Sequence, residues 1–250
     1  MPYFTYLDRR LCYREQGEGD LILILHGNTA SSALHLGELA HFGQRYHAVA
    51  LDFPGTGQSE RIEVWPDDWW LDGARAAVAL VDHLEAEQAV VMGTSGGAVA
   101  ALLMAQHAPD RVRAVIADSV VMRQPPDVLR AEVGNRRRQW AEAAVFWRNA
   151  HGDDWANVVE ADNDLLLRLA ARDGVWFERP LSEVQCPVLL TGSLRDTALF
   201  KPGEQMVEMA RQIEESQLYL ANGGEHPLMW SRPDRFRQAA GSFLAALQKA

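Results

Sequence analysis

Short apolar segments alternate with longer segments of helical period along most of this sequence. The segment Leu21–Leu25 has the continuous hydrophobic character of a strand buried on both faces. Such strands, separated by helices, predict an α/β fold, a mostly parallel doubly wound sheet with helices on both faces. We predict strands at residues 3–7, 10–15, 21–25, 46–51, 88–92, 112–118, 187–191 and 216–220, the first two forming a hairpin, and helices at 68–86, 96–108, 203–214 and 232–248.

The alternation stops between residues 122 and 185. This stretch is rich in Arg, Ala and Trp, contains no good strand pattern, and predicts three or four helices. Insertions at the carboxyl edge of a parallel sheet often cover a ligand crevice. We therefore expect an α/β core formed by residues 1–121 and 186–250, with a helical cap, or lid, formed by residues 122–185. Three consecutive arginines at residues 136–138 are expected to form a solvated helix face.

Composition argues against several classes of partner. The chain has 24 Lys and Arg against 34 Asp and Glu, a net charge of −10 that would repel the phosphates of a nucleic acid. No run approaches the ~18 apolar residues of a membrane helix, and the charged N-terminal segment does not resemble a secretory signal. The two cysteines lie in separate predicted strand regions, which implies no disulfide framework. We expect no nucleic-acid partner, no membrane partner and a cytoplasmic location.

Residues 93–97 read Gly-Thr-Ser-Gly-Gly and satisfy the pattern G-x-S-x-G. The motif directly follows a predicted strand and directly precedes a predicted helix, which is the strand-turn-helix setting of a nucleophile elbow. This context favours Ser95 as a catalytic nucleophile, with its hydroxyl near the helix N-terminus, where backbone N–H groups stabilise negative charge. A glycine-rich turn with a purely structural role is the alternative interpretation.

A serine hydroxyl needs a positioned base to act as a nucleophile near neutral pH. His226 lies in a loop after the last predicted strand, at the carboxyl edge of the sheet, and is the candidate base. Asp196, after the strand at 187–191, is the candidate acid that orients the imidazole, and it gives the chain order Ser, Asp, His. Asp118, at the end of the strand at 112–118, is the alternative acid.

The remaining requirement is a pair of donors for the oxyanion of the reaction intermediate. We expect the backbone N–H of Gly96, directly after the nucleophile, and the backbone N–H of Asn28, in the loop after Leu25, to supply them. Eight tryptophans are available to line an apolar pocket for a small acyl or aromatic substrate, and Trp230, close to His226, is the one that we include among the substrate-binding residues.

With His26-Gly27 and residues 52–59, these motifs resemble the α/β-hydrolase superfamily over essentially the full length of the chain. Within that superfamily, the chain looks most like small esterases of the valacyclovir hydrolase and carboxylesterase kind. The resemblance implies a serine hydrolase that cleaves a small carboxylic ester, lactone or thioester through an acyl-enzyme on Ser95. It also implies a small-molecule substrate and no metal or cofactor.

The sequence departs from the superfamily's usual pattern at three places. Phe53-Pro54 replaces a common arginine, and the segment before Asp196 is one residue longer than usual, which keeps Asp118 open as the acid. Gly96 leaves no side chain after the nucleophile to contact the substrate.

The sequence leaves other chemistries open. His26-Gly27-Asn28 also resembles haloalkane dehalogenases and epoxide hydrolases, but those enzymes use an aspartate where this chain has Ser95. A hydrolase or lyase that cleaves carbon–carbon bonds with the same triad is one alternative. A non-catalytic ligand receptor on the same fold is another.

Overall fold

In the computed structural model, which describes residues 1–248, eight strands form one mixed sheet. The strands are β1 (Tyr3–Tyr6), β2 (Arg9–Gln16), β3 (Leu21–Leu25), β4 (His47–Leu51), β5 (Ala89–Thr94), β6 (Val112–Asp118), β7 (Val188–Ser193) and β8 (Ser216–Ala221). Their order in the sheet is β1-β2-β4-β3-β5-β6-β7-β8. The pairs β1–β2 and β2–β4 are antiparallel, and all other pairs are parallel. The carboxyl ends of the parallel strands therefore meet at one edge of the sheet, where ligand crevices form in such folds.

Alternate residues of the central strand β3 enter two different hydrophobic cores. Leu23 and Leu25 belong to the larger core, and Ile22 and Ile24 belong to the second. Because side chains alternate across a strand and helices cover both faces, all five residues of β3 are buried.

The helices that cover the two faces come from different parts of the chain. Helices α2, α3 and α7 contribute to the larger core, and α1 and α9 contribute to the second. The helices are α1 (Leu36–Phe42), α2 (Trp69–His83), α3 (Gly96–His107), α4 (Pro126–Arg138), α5 (Trp140–His151), α6 (Trp155–Ala171), α7 (Pro202–Gln212), α8 (Leu228–Ser231) and α9 (Pro233–Leu247). In the part of the chain that the structure describes, no helix is long and apolar enough to cross a bilayer.

Helices α4, α5 and α6 form the segment between β6 and β7, which we call the cap. A small aromatic cluster joins two of these helices, since the rings of Trp147 and Trp155 stack with centroids 5.4 Å apart. Trp140 packs against Trp155 at a centroid distance of 5.0 Å. Three helices thus lie in the predicted insertion. The division into a core of residues 1–121 and 186–250 and a cap of residues 122–185 stays a prediction.

The predicted α/β fold class is confirmed, and every predicted strand is present with ends within two residues of those expected. The sequence pattern does not predict helix α1. It is seven residues long, has Gly37 in its first turn, and begins after His35, which makes no side-chain capping bond. A helix this short and without a cap leaves a weak pattern in the sequence.

Candidate active site

Ser95 lies at the sharp turn between β5 and α3. Its backbone has φ 55° and ψ −124°, a conformation that non-glycine residues rarely adopt and that costs on the order of 1–3 kcal/mol. A Cβ atom on Gly97 would overlap the backbone oxygen of Leu25, so the close approach of the turn to β3 requires glycine there. The Ser95 N–H donates to the carbonyl oxygen of Asp118 at 2.9 Å, which ties the turn to β6. The sequence thus builds the elbow that its motif predicts.

The structure brings Ser95, His226 and Asp196 together at the carboxyl edge of the sheet. Nε2 of His226 lies 2.9 Å from Oγ of Ser95, and Nδ1 lies 2.7 Å from Oδ2 of Asp196. The Asp196 side chain is buried, and its other oxygen accepts from the N–H of Ala198 at 3.0 Å. With the proton on Nδ1, the imidazole donates to the carboxylate and accepts from the serine hydroxyl. This chain of hydrogen bonds has the geometry of an activated nucleophile, its base and an orienting acid.

Asp118, the alternative acid, lies at the end of β6 and is fully buried. Its carboxylate accepts from the hydroxyls of Thr191 at 2.7 Å and Thr94 at 3.1 Å and from the N–H of Met229 at 3.0 Å. Burial raises the pKa of Asp118 to about 6, although these hydrogen bonds oppose the shift. Asp118 therefore fastens the ends of β5 and β7 to α8, whereas Asp196 contacts Nδ1 of His226.

The loop after β3 turns back beside Ser95. Its turn is closed by the N–H of Ala30, which donates to the carbonyl of Gly27 at 3.2 Å, and Thr29 has φ 55°. Within residues 1–248, the backbone N–H groups of Asn28 and Gly96 donate no hydrogen bond. Both residues line the same cavity as Ser95. The two predicted oxyanion donors are therefore adjacent to the serine and free to bind a ligand.

His26 holds this loop against the next one. The buried ring donates from Nδ1 to the carbonyl of Gly27 at 2.8 Å, and its Nε2 accepts from the N–H of Phe53 at 3.1 Å. Burial lowers the pKa of His26, so the ring is neutral and keeps Nε2 as an acceptor. His26 is thus a structural residue beside the site.

A cavity of about 520 Å³ opens above the serine and the imidazole. The sheet edge supplies its floor and the cap supplies much of its roof. Its apolar lining comes mainly from the cap and nearby segments, at residues Val99, Leu129, Phe146, Trp147, Leu166, Trp176, Leu199 and Trp230. A mostly apolar pocket with a few convergent polar groups is the usual form of a small-molecule site.

A family model for the α/β hydrolase fold matches residues 20–163. The chain belongs to the α/β-hydrolase family. Haloalkane dehalogenase 2 of Mycobacterium tuberculosis is 26% identical to it, with the match covering 92% of this chain and 90% of the dehalogenase. The human serine hydrolase BPHL is also 26% identical, with 94% of this chain and 83% of that protein covered. The enol-lactonase structure from Burkholderia xenovorans matches with a TM-score of 0.78 at 18% identity, covering 98% of this chain and 100% of the lactonase, and shows the fold alone.

These proteins are named for different reactions. The family match therefore shows that this chain belongs to a hydrolase family, but it leaves open which bond the protein cleaves.

Trp230 of this α/β hydrolase lines the cavity, as its place near His226 predicts. Its ring packs against His35 and Phe146, with centroids 5.4 and 6.1 Å away. The buried indole Nε1 has no hydrogen-bond partner among the described residues.

The expectation that residues 136–138 form a solvated face is wrong for Arg136. Its side chain is only 13% exposed, lines the cavity, and donates to Asp162 at 2.6 Å and to Glu132 at 3.0 Å. Arg137 is half exposed, as expected, and pairs with Glu160 at the surface. Helix periodicity turns consecutive residues to different sides, so one arginine of the three faces inward.

Proposed function

We propose that this α/β hydrolase is a serine hydrolase that cleaves a small carboxylic ester, lactone or thioester through an acyl-enzyme on Ser95. The observation that carries the proposal is the hydrogen-bonded chain from Ser95 Oγ to His226 Nε2 and from His226 Nδ1 to Asp196. Such a chain lets the imidazole take the hydroxyl proton as the oxygen attacks, while the carboxylate stabilises the imidazolium that forms.

The reaction proceeds in two halves. In the first, Ser95 Oγ attacks the carbonyl carbon and His226 Nε2 takes the proton, and the resulting oxyanion accepts from the N–H groups of Gly96 and Asn28. The bond between the carbonyl carbon and the leaving group then breaks as the imidazolium protonates the departing alcohol oxygen, or the thiol sulfur of a thioester, and the acyl group remains on Ser95. In the second half, His226 takes a proton from water as the water oxygen attacks the acyl-enzyme. The carbon–oxygen bond to Ser95 breaks, the serine regains its proton and the carboxylic acid leaves.

The cavity favours a small substrate with an apolar acyl group. Its volume of about 520 Å³ lies within the usual range for small-molecule sites, about 300–1,000 Å³. Phe146, Trp176 and Trp230 present aromatic surface to it, and this surface suits acyl or aromatic groups.

Labelling with a fluorophosphonate probe tests the nucleophile. We expect the parent protein to be labelled and Ser95→Ala to lose labelling together with at least about 10³-fold in ester hydrolysis. Ser119→Ala is the matched control, because Ser119 lines the same cavity but its hydroxyl accepts from the N–H of Leu228 at 2.8 Å. Undiminished labelling of Ser95→Ala would contradict the proposal, and a parent that resists the probe would favour a ligand receptor.

A substrate panel tests the bond that is cleaved. We expect p-nitrophenyl esters with short acyl chains to be hydrolysed orders of magnitude faster than a vinylogous diketone or a haloalkane. Turnover of the diketone in preference to the esters would contradict the ester assignment and favour carbon–carbon bond cleavage. The same variants, Ser95→Ala and Ser119→Ala, then report whether that reaction uses the serine.

A further inference from the structure

Asp162 is a fully buried carboxylate on cap helix α6, far in sequence from the elbow. Its Oδ2 accepts from Nδ2 of Asn28 at 2.7 Å, and its Oδ1 accepts from Nη1 of Arg136 at 2.6 Å. Asp162 therefore links two cap helices to the loop after β3, which lies beside Ser95.

A carboxylate at this depth is costly unless it is paired and hydrogen-bonded. Arg136 supplies the opposite charge, and it also donates from Nε to Glu132 at 3.0 Å. Burial lowers the pKa of Arg136, but Asp162 and Glu132 more than compensate, so that the pKa lies above its usual value. The guanidinium of Arg136 is thus held in its charged form beside Asp162. The fixed carboxylate can accept a hydrogen bond but cannot donate one.

The side-chain amide of Asn28 is held at both ends. The indole N–H of Trp70 donates to Oδ1 at 3.3 Å, and Nδ2 donates to Asp162. Because an indole only donates and a carboxylate only accepts, the amide has one orientation. Its Oδ1 also occupies the space beside the backbone of Gly96, where a Cβ atom would overlap it. The fixed side chain in turn constrains the backbone at Asn28, which carries one of the two expected oxyanion donors.

We propose that Asp162 is a positioning residue for the oxyanion hole, acting through the side chain of Asn28. The inference rests on the proposed serine-hydrolase function. Donors that stabilise an oxyanion must be held in place before the reaction, and an error of about 1 Å in position can cost on the order of 10²-fold in rate. The cap thereby contributes to the chemical step as well as to the shape of the cavity.

Two double variants separate the role of Asp162 as a hydrogen-bond acceptor for Asn28 from the role of its charge. Asp162→Leu with Arg136→Met replaces the buried pair with apolar side chains, a change that folded proteins often tolerate, and it removes the acceptor for Asn28. Asp162→Asn with Arg136→Met also removes both charges but keeps an oxygen that can accept from Asn28. We call Asp162→Leu with Arg136→Met the leucine pair and Asp162→Asn with Arg136→Met the asparagine pair. We expect kcat of the leucine pair to be about 10- to 100-fold below that of the asparagine pair, and the KM values of the two variants to agree within about threefold.

The asparagine pair is expected to keep kcat close to that of the parent. Affinity for a boronic acid, which forms a tetrahedral adduct on the serine, should fall with kcat in the leucine pair. Glu160→Gln is the matched control, because it breaks another link between α4 and α6, the surface pair with Arg137, without touching Asn28. We expect it to leave kcat and boronate affinity unchanged.

The Asn28→Ala background decides whether Asp162 acts through Asn28. There the two double variants should have equal kcat, and Asn28→Ala alone, which keeps the buried ion pair, should lower kcat about as much as the leucine pair does. Three results would overturn the inference. The two double variants could have equal kcat when Asn28 is present, or their difference in kcat could persist in the Asn28→Ala background. Full activity of Asn28→Ala would be the third. If the parent protein is not labelled at Ser95, the proposed function is overturned, and this inference with it. If the parent is labelled but the two double variants have the same kcat, only the positioning role of Asp162 is overturned.

Discussion

Replacement of Asp118 by asparagine should change how the stability of the fold depends on pH. Burial raises the pKa of Asp118 from 3.8 to about 6 in the folded protein. Because one pKa unit corresponds to about 1.4 kcal/mol, the ionised carboxylate costs about 3 kcal/mol on folding. Below pH ~3 the carboxyl is protonated in both states and this cost is absent. The cost develops as the pH rises from the unfolded-state pKa of 3.8 to the folded-state pKa of about 6. The parent should therefore lose about 3 kcal/mol relative to Asp118→Asn between pH ~3 and pH ~7.

Urea unfolding followed by tryptophan fluorescence at several pH values measures this difference. Asp8→Asn, at an exposed turn, gives the baseline for an amide substitution outside the core. The electrostatic interaction with His226 lowers the pKa of Asp118, so the parent and Asp118→Asn should also be compared in a His226→Gln background. A difference in unfolding free energy between parent and Asp118→Asn that stays constant from pH ~4 to pH ~8 would refute the argument from burial.

Three further substitutions test the site and the core. Gly96→Ala places a Cβ atom against Oδ1 of Asn28, so fluorophosphonate labelling of Ser95 should slow by about tenfold or more. Trp176 lines both the active-site cavity and a neighbouring cavity of about 550 Å³, so Trp176→Ala should raise the octanoate-to-butyrate ratio of kcat/KM by about tenfold, whereas Trp176→Phe should not. Phe236 is fully buried in the second core, so Phe236→Ala should cost about 3–5 kcal/mol of unfolding free energy in urea titrations.

The sequence predicts the elbow because its signal is local. Gly93 to Gly97 carry the turn, a buried strand precedes it, and a helix follows it, so each element is readable within a short window. A topological rule predicts the positions of Asp196 and His226, because loops after parallel strands share one edge of the sheet. The structure brings both side chains to Ser95, and their catalytic roles stay predictions.

The contacts of the cap could not be predicted in this way. Asn28 and Asp162 are 134 residues apart, and no local pattern records which turn of α6 faces the loop after β3. Arg136 lies in a run of three arginines, and choosing the one that turns inward requires the rotation of α4 about its axis. A weak signal existed in the Asp162-Asn163 pair, which interrupts the apolar face of α6 with polar residues that the structure buries.

His226 lies in the loop that follows β8. This strand lies at the end of the sheet, and its residues are at most partly buried. Edge elements with few buried contacts open at a lower free-energy cost than the centre of a fold. Fraying of this outer strand would loosen the loop that carries the base, while Asp118 and Ser119 still hold α8 and while β3, β5 and β6 remain paired. On heating, activity should therefore be lost before the circular dichroism signal is lost. Turnover then reports local unfolding at the β8 edge of the sheet before the rest of the fold unfolds.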